Sequence, residues 1–158
     1  MKYKEPEALN GVALFHKTFN LPIEDQPIIP SKERCELRIS LLEEELEELK
    51  TAIKNDDIIE AADAFSDLQY VLSGAILEFG LGEKFKALFD EVQRSNMSKT
   101  CKSLDEAEAT QSYYEMNRGM ESIIKKQDDE YLVYRKSDGK VFKSVNYSPP
   151  DLENILED

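Results

Sequence analysis

Residues 41–53 read LLEEELEELKTAI. Five glutamates share this run with leucines at helical spacing, so the sorting of those acids decides what the helix is for. At 100° per residue, Leu42, Leu46, Leu49 and Ile53 fall within about 60° of one another, the i, i+4, i+7, i+11 pattern of one helix face. Glu45 lies beside that face, with Leu41, Leu42 and Leu49 at i−4, i−3 and i+4. Glu48 sits one turn on, with its Cβ roughly 5–6 Å from that of Glu45. Glu43 and Glu47 point away into solvent, and Glu44 flanks the pair. Two like charges held together beside apolar surface repel and lose hydration unless a cation or a proton compensates them, which points to a metal.

The next helix carries a second set. Glu60, Asp63 and Asp67, at i, i+3 and i+7, form a stripe about 60° wide that borders the apolar positions Ala61, Phe65, Leu68 and Leu72. Aspartate is a poor mid-helix residue, so its recurrence here has little local cause. Antiparallel packing of the two helices brings both sets together, and carboxylates from two rigid elements suit a hard, oxygen-seeking cation such as Mg²⁺, with Mn²⁺ as an alternative. The bland readings are a solvated Glu-rich face for the ExxE pair and a capping-box role for Glu60.

Working outward, Pro6 and the spacing of Leu9, Val12, Ala13 and His16 predict a first helix over about 6–20, and Pro22, Pro27 and Pro30 a loop. Ser31 caps the acidic helix, which runs to Lys54. Asp57 and Glu60 have the form of a capping box opening a third helix that ends at Gly80. Phe85, Leu88, Phe89 and Val92 mark a fourth, ending in EVQRSNMSK. Beyond Lys99 the character changes. Ser103 and Glu106 cap a fifth helix ending by Gly119, EYLVYRKSDGKVFKSVNY reads as two strands around Asp138-Gly139, and SPPDLENIL is a short closing helix.

The chain has 158 residues, 33 acidic against 20 basic, and a formal charge of −13. That balance argues against a nucleic acid polymer or an anionic membrane as partner, and a polyanionic substrate needs cations to reverse the local sign. Neither a signal-peptide core nor a run of about 20 apolar residues is present, so a cytoplasmic protein is expected. Cys35 and Cys101 are too few for a disulfide framework. His16 is the single histidine, which disfavours a di-iron bundle built on paired ExxH motifs, and no P-loop appears. A structural or surface role is expected for it.

Three segments resemble the MazG-like, all-α nucleoside triphosphate pyrophosphohydrolases, relatives of dimeric dUTPases and phosphoribosyl-ATP pyrophosphohydrolase: EELEELKTAI at 44–53, EAADAFSDLQYVLSGAILEFGL at 60–81 and FDEVQRSNMSK at 89–99. The resemblance spans roughly residues 10–100. It implies a four-helix bundle over 1–100; the extension over 101–158, read above as a helix, a small β-hairpin and a short helix, lies outside the resemblance. It also implies Mg²⁺ held between an ExxE and an ExxD, and cleavage of a nucleoside triphosphate into monophosphate and pyrophosphate. By position Glu45 and Glu48 match the ExxE, and Asp67 the aspartate of the ExxD. The expected glutamate of that second motif is Ala64 here, so Asp63 or Glu60 supplies the ligand or fewer ions bind. Glu60 and Asp63 also spell ExxD one turn earlier. In RSNMSK, Arg94 and Lys99 become phosphate-binding cations and Asn96 a hydrogen-bonding partner for phosphate or sugar. Glu44 or Glu48 is the expected base.

Four short helices in a small acidic chain leave apolar surface to cover, so a homodimer or homotetramer is expected. Two other readings compete: a non-catalytic nucleotide- or partner-binding module, motivated by Ala64, and an acidic helical scaffold for protein contacts. Base and sugar preference is not legible in these residues.

Overall fold

The structure is a computed structural model that describes residues 2–157, and it is mostly helical. Among the described residues there are six helices and one two-stranded antiparallel hairpin: α1 Ala8–Thr18, α2 Lys32–Lys54, α3 Ile58–Glu78, α4 Phe85–Met97, α5 Leu104–Arg118, β1 Ser122–Gln127, β2 Glu130–Arg135 and α6 Leu152–Glu157. The chain divides into two compact units, residues 1–85 and 86–158.

In the first unit Ser31 and Asp57 act as caps, but the capping box read at Asp57 and Glu60 is only half made, because the Asp57 N–H donates to the Ala52 carbonyl. Ser31 accepts from the Arg34 backbone N–H, and Asp57 accepts from those of Ile59 and Glu60, satisfying donors that open α2 and α3. Only Asn55–Asp57 separates the two helices, so they run antiparallel. α2 packs along α3, and α1 packs on α3. Leu49 and Ala52 cluster with Ala61 and Ala64, with Leu68 beside them. Three alanines at this contact let the backbones approach closely, and the acids on its rim approach with them.

The predicted apolar face is rotated relative to the buried one. Leu49 and Ala52 are buried, but Leu46 is 44% exposed and Ile53 65%. Ile39, Leu46 and Ile53 stand seven residues apart along α2, and Ile58, Phe65 and Leu72 stand seven apart along α3; all six are exposed. Helical periodicity sets both stripes on one side of the hairpin and the acidic residues on the other. The sequence pattern identified apolar positions, and part of that surface finds no partner within its own chain.

The loop before α2 is tied to the end of α3, where the Glu24 and Ile28 amides donate to the carbonyls of Leu77 and Phe79 at 3.0 Å. Gly80 has φ +66°, and a Cβ there would strike the Gln26 carbonyl, so this crossing requires glycine.

In the second unit, α5 packs on both strands around Cys101, Ala107, Val133 and Phe142, with Tyr114 stacked on Phe142 at 3.8 Å. Ser103 caps α5, and Gly119 ends it at φ 60°. The hairpin differs from expectation. Its reversal is at Asp128-Asp129, where Asp128 takes φ 52°, and β1 precedes the segment read as strands. Gly139 does lie in a turn, yet the segment after it keeps only a single bridge, Val141 to Tyr134. β1 reads SIIKKQ and is mostly exposed, so it carries little of the apolar alternation by which a strand is recognised.

No helix among the described residues is long and apolar enough to cross a membrane. Both cysteines are free thiols, Cys101 buried and Cys35 half-buried.

Candidate active site

Each acid of the α2–α3 hairpin owes its position to the alanine-lined contact. Glu45 sits on the rim of the buried face and is half-buried, whereas Glu44, Glu48, Glu60 and Asp63 are exposed. The Glu45 carboxyl is pushed above its ordinary value, first by burial and then by the charges of Asp67, Glu48, Glu44 and Asp63. Four carboxylates from two helices therefore act on one, with no basic partner among the causes. Toward the turn the acids border an open groove of about 540 Å³ lined by Glu44, Glu47, Glu48, Asn55, Asp57 and Glu60, with Thr51 and Ala52. Glu60 thus lies with Glu44 and Glu48 along the groove, and Asp63 and Asp67 act on Glu45.

Oxygen-only donors and uncompensated negative charge suit a hard divalent cation. Among the described residues, however, no three His, Cys, Asp or Glu side chains converge as a metal site. Ala64 is 2% exposed inside the contact between α2 and α3, so this position contributes packing and no carboxylate.

The basic residues singled out from the sequence belong to the second unit. The Arg94 guanidinium donates two bonds of 2.8 Å to Glu91 and one of 3.0 Å to the Pro149 carbonyl. That pairing, with the Asp151 amide, holds the Glu91 carboxyl down at about 2. Lys99 donates to the Asn96 side-chain oxygen at 2.7 Å. Asn96 and Lys99 border a groove of about 700 Å³ with Met97, Thr100, Leu132 and Val141 among its other walls.

A buried ionic network escaped the sequence reading. Glu78, 1% exposed, accepts from Arg38 at 2.5 Å and from both Nε and Nη2 of Arg34. Burial raises its carboxyl, but the hydrogen bonds and charges of Arg38 and Arg34 outweigh burial and leave it below its ordinary value. His16, 2% exposed, bonds the Pro22 carbonyl through Nδ1 at 2.8 Å, which makes Nε2 the acceptor for Arg38 at 3.1 Å and the ring neutral. His16 is therefore structural, as expected, and lies inside. Gly74 makes the arrangement fit, because a Cβ there would meet Arg38 Nη1 at 2.6 Å and His16 Nε2 at 3.1 Å. The available signal was an acid inside the apolar run AILEFGL.

The structure thus sets carboxylates of two packed helices on one side of a helical hairpin. The profile of the phosphoribosyl-ATP pyrophosphohydrolase family matches residues 12–96, and the chain belongs to that family, part of the MazG-like superfamily. The family points to pyrophosphohydrolase activity on nucleotides, and its enzymes are typically divalent-cation dependent. An uncharacterised protein of Acanthamoeba polyphaga mimivirus is 35% identical over 82 residues, 49% of this chain and 33% of the relative. The match thus spans about a third of that relative's length.

Proposed function

We propose that the chain is a Mg²⁺-dependent pyrophosphohydrolase, able to use Mn²⁺, that splits a nucleoside triphosphate into monophosphate and pyrophosphate. The observation that carries this reading is the placing of Glu45, half-buried on α2, within electrostatic reach of Glu44 and Glu48 on its own helix and of Asp63 and Asp67 on α3. Glu45, Glu48 and Asp67, with Asp63 or Glu60 in place of the acid absent at Ala64, are the residues that would hold divalent cation. When bound, the cation neutralises phosphate oxygens and stabilises charge developing in an in-line displacement.

The chain's own residues supply the rest. Glu48 or Glu44, exposed on the groove, takes a proton from the attacking water as its oxygen bonds the α-phosphorus and the bond to the bridging oxygen breaks, releasing pyrophosphate. Arg94, Asn96 and Lys99 are assigned to substrate phosphate or sugar. For Arg94 this requires exchanging its contacts to Glu91 and Pro149 for phosphate. The functional domain is assigned to residues 1–100 and the extension to 101–158. A cytoplasmic location is assigned, and two free thiols suit a reducing compartment.

The test is a panel of ribo- and deoxyribonucleoside triphosphates with Mg²⁺ or Mn²⁺, read by pyrophosphate release. Release from at least one of them that stops with EDTA is expected. A folded sample that releases none from any overturns the reading in favour of the non-catalytic module, which the apolar environment of Ala64 would then explain.

The same reading assigns a homodimer or homotetramer. Ile39, Leu46, Ile53, Ile58, Phe65 and Leu72 are all exposed and together offer on the order of 600 Å² of apolar surface, at the upper end of what a monomer leaves in one patch and approaching the ~800 Å² per partner of a standard interface. A seven-residue repeat on two antiparallel helices fits a second, identical helix pair about a two-fold axis. Sedimentation should give a dimer or larger at micromolar concentration. Leu46→Lys with Phe65→Lys should give monomer, and a wild-type monomer throughout would refute the assignment.

A further inference from the structure

We propose that Lys143 and Tyr147, from the segment that follows the hairpin, join Lys99 at the end of α4 in a phosphate-binding site. All three belong to the second unit, and Lys143 and Tyr147 lie far beyond residue 96, where the family profile ends.

Local packing brings them there. Phe142 and Ser144 are buried, the first with its N–H on the Val133 carbonyl at 2.8 Å and the second with its hydroxyl on Glu106. Burial alternates through this segment as along a strand, so Lys143 between them is turned outward and exposed. The chain then turns, with the Tyr147 N–H on the Ser144 carbonyl at 2.9 Å, and is strapped to α4. The Ser95 hydroxyl donates to the Tyr147 oxygen at 2.9 Å. The Ser98 hydroxyl donates to the Ser148 carbonyl at 3.2 Å and accepts from the Ser148 N–H at 3.0 Å. Arg94 donates to the Pro149 carbonyl at 3.0 Å, and the Asp151 N–H donates to Glu91 at 2.8 Å. In these contacts Arg94 fastens the strap, and Glu91 balances its charge.

Two features of the place suit phosphate. The first is positive charge with no carboxylate opposite it. Lys99 donates to the neutral Asn96 side chain, and the Lys143 ammonium stands over the Tyr147 ring, 4.2 Å from its centre. Neither lysine makes an ion pair among the described residues. In a chain of formal charge −13, two unpaired lysines around one phenol are a local reversal of sign. An ammonium is a compact point charge that serves well as a phosphate ligand. The second feature is a spare donor. Because Ser95 donates to the Tyr147 oxygen, the phenol keeps its own proton for another acceptor. The phenol is held below its ordinary value by the Ser95 bond first and, against burial, by Lys143 and Lys99, so both ammoniums lie within electrostatic reach of the hydroxyl. A phosphate group here meets one O–H and two ammoniums. For its part in turnover the site rests on the pyrophosphohydrolase reading, whereas its affinity for pyrophosphate alone does not.

The experiment keeps the two apart. The full chain in EDTA is titrated by calorimetry with sodium pyrophosphate, and hydrolysis of the triphosphate panel with Mg²⁺ is measured separately. Lys143→Gln should weaken pyrophosphate binding about tenfold or more, the scale of one charge-assisted hydrogen bond, and should raise KM for a hydrolysed triphosphate. Its unfolding transition should not move, because the side chain is exposed. Tyr147→Phe, which keeps the ring and removes the hydroxyl, should weaken binding too. Lys140→Gln removes the same charge from another exposed lysine and should leave the affinity where it is, which tells a site from net charge. Wild-type protein that does not bind pyrophosphate, or equal effects of Lys143→Gln and Lys140→Gln, overturns the inference. Triphosphate hydrolysis with Lys143→Gln matching wild type in both titration and KM keeps the hydrolase and removes the site. Pyrophosphate binding that falls in Lys143→Gln, with no release from any triphosphate, keeps the site and removes the hydrolase.

Discussion

Replacing Glu45 or Asp67 by alanine should lower pyrophosphate release at least about 10²-fold, the scale on which removal of a group that stabilises transition-state charge acts. Stability separates this from simple misfolding. The Glu45 carboxyl is raised in the folded protein, by burial first and then by the charges of Asp67, Glu48, Glu44 and Asp63. Between its ordinary value of 4.5 and the raised one, the folded state binds more protons than the unfolded, so stability falls as pH rises through that window. At neutral pH the ionised group is a standing cost. Glu45→Gln should therefore melt higher than the wild type at pH 7 in EDTA and gain less on addition of Mg²⁺ or Mn²⁺. Thermal unfolding with and without cation reads both effects, and wild-type protein indifferent to divalent cations would remove the metal assignment.

Glu78 should give the largest loss of stability. Glu78→Ala leaves Arg34 and Arg38 without their shared carboxylate, Arg38 at 7% exposure. Breaking a buried pair from one side costs about 3–5 kcal/mol, a large part of the 5–15 kcal/mol that holds a domain together. The expected fall in Tm is about 10 °C. The pH dependence has the opposite sign to that of Glu45. Because the Glu78 carboxyl is held below 4.5, its contribution is present above that pH and is lost as pH falls through the lowered value. Acid unfolding of the wild type should thus steepen below pH 4.5, and the Glu78→Ala profile should be flatter there. A variant melting within about 2 °C of wild type would show the network to be dispensable.

The two helices that carry the acids were legible because their starts have a local cause: Ser31 and Asp57 cap them, and the apolar spacing along them is helical. The acid sets were legible for the same reason, since i, i+3 and i, i+4 relations follow from pitch alone. What periodicity does not contain is the identity of the partner. Leu46 and Phe65 belong to apolar patterns and are exposed, while Ala52 and Ala64, weak signals in sequence, form the contact. The Glu78 network was hidden because its ion pairs span 40 and 44 residues. β1 was hidden because Lys125, Lys126 and Gln127 obscure its alternation, and the DG turn drew the hairpin about ten residues downstream.

The two heptad-spaced rows of Ile39, Leu46 and Ile53 and of Ile58, Phe65 and Leu72 carry a further consequence. In the proposed dimer, surface of that kind would bind its partner by mass action, so the assembled fraction would follow the protein's concentration. Dilution would then leave six greasy side chains in water, open to proteolysis and clumping.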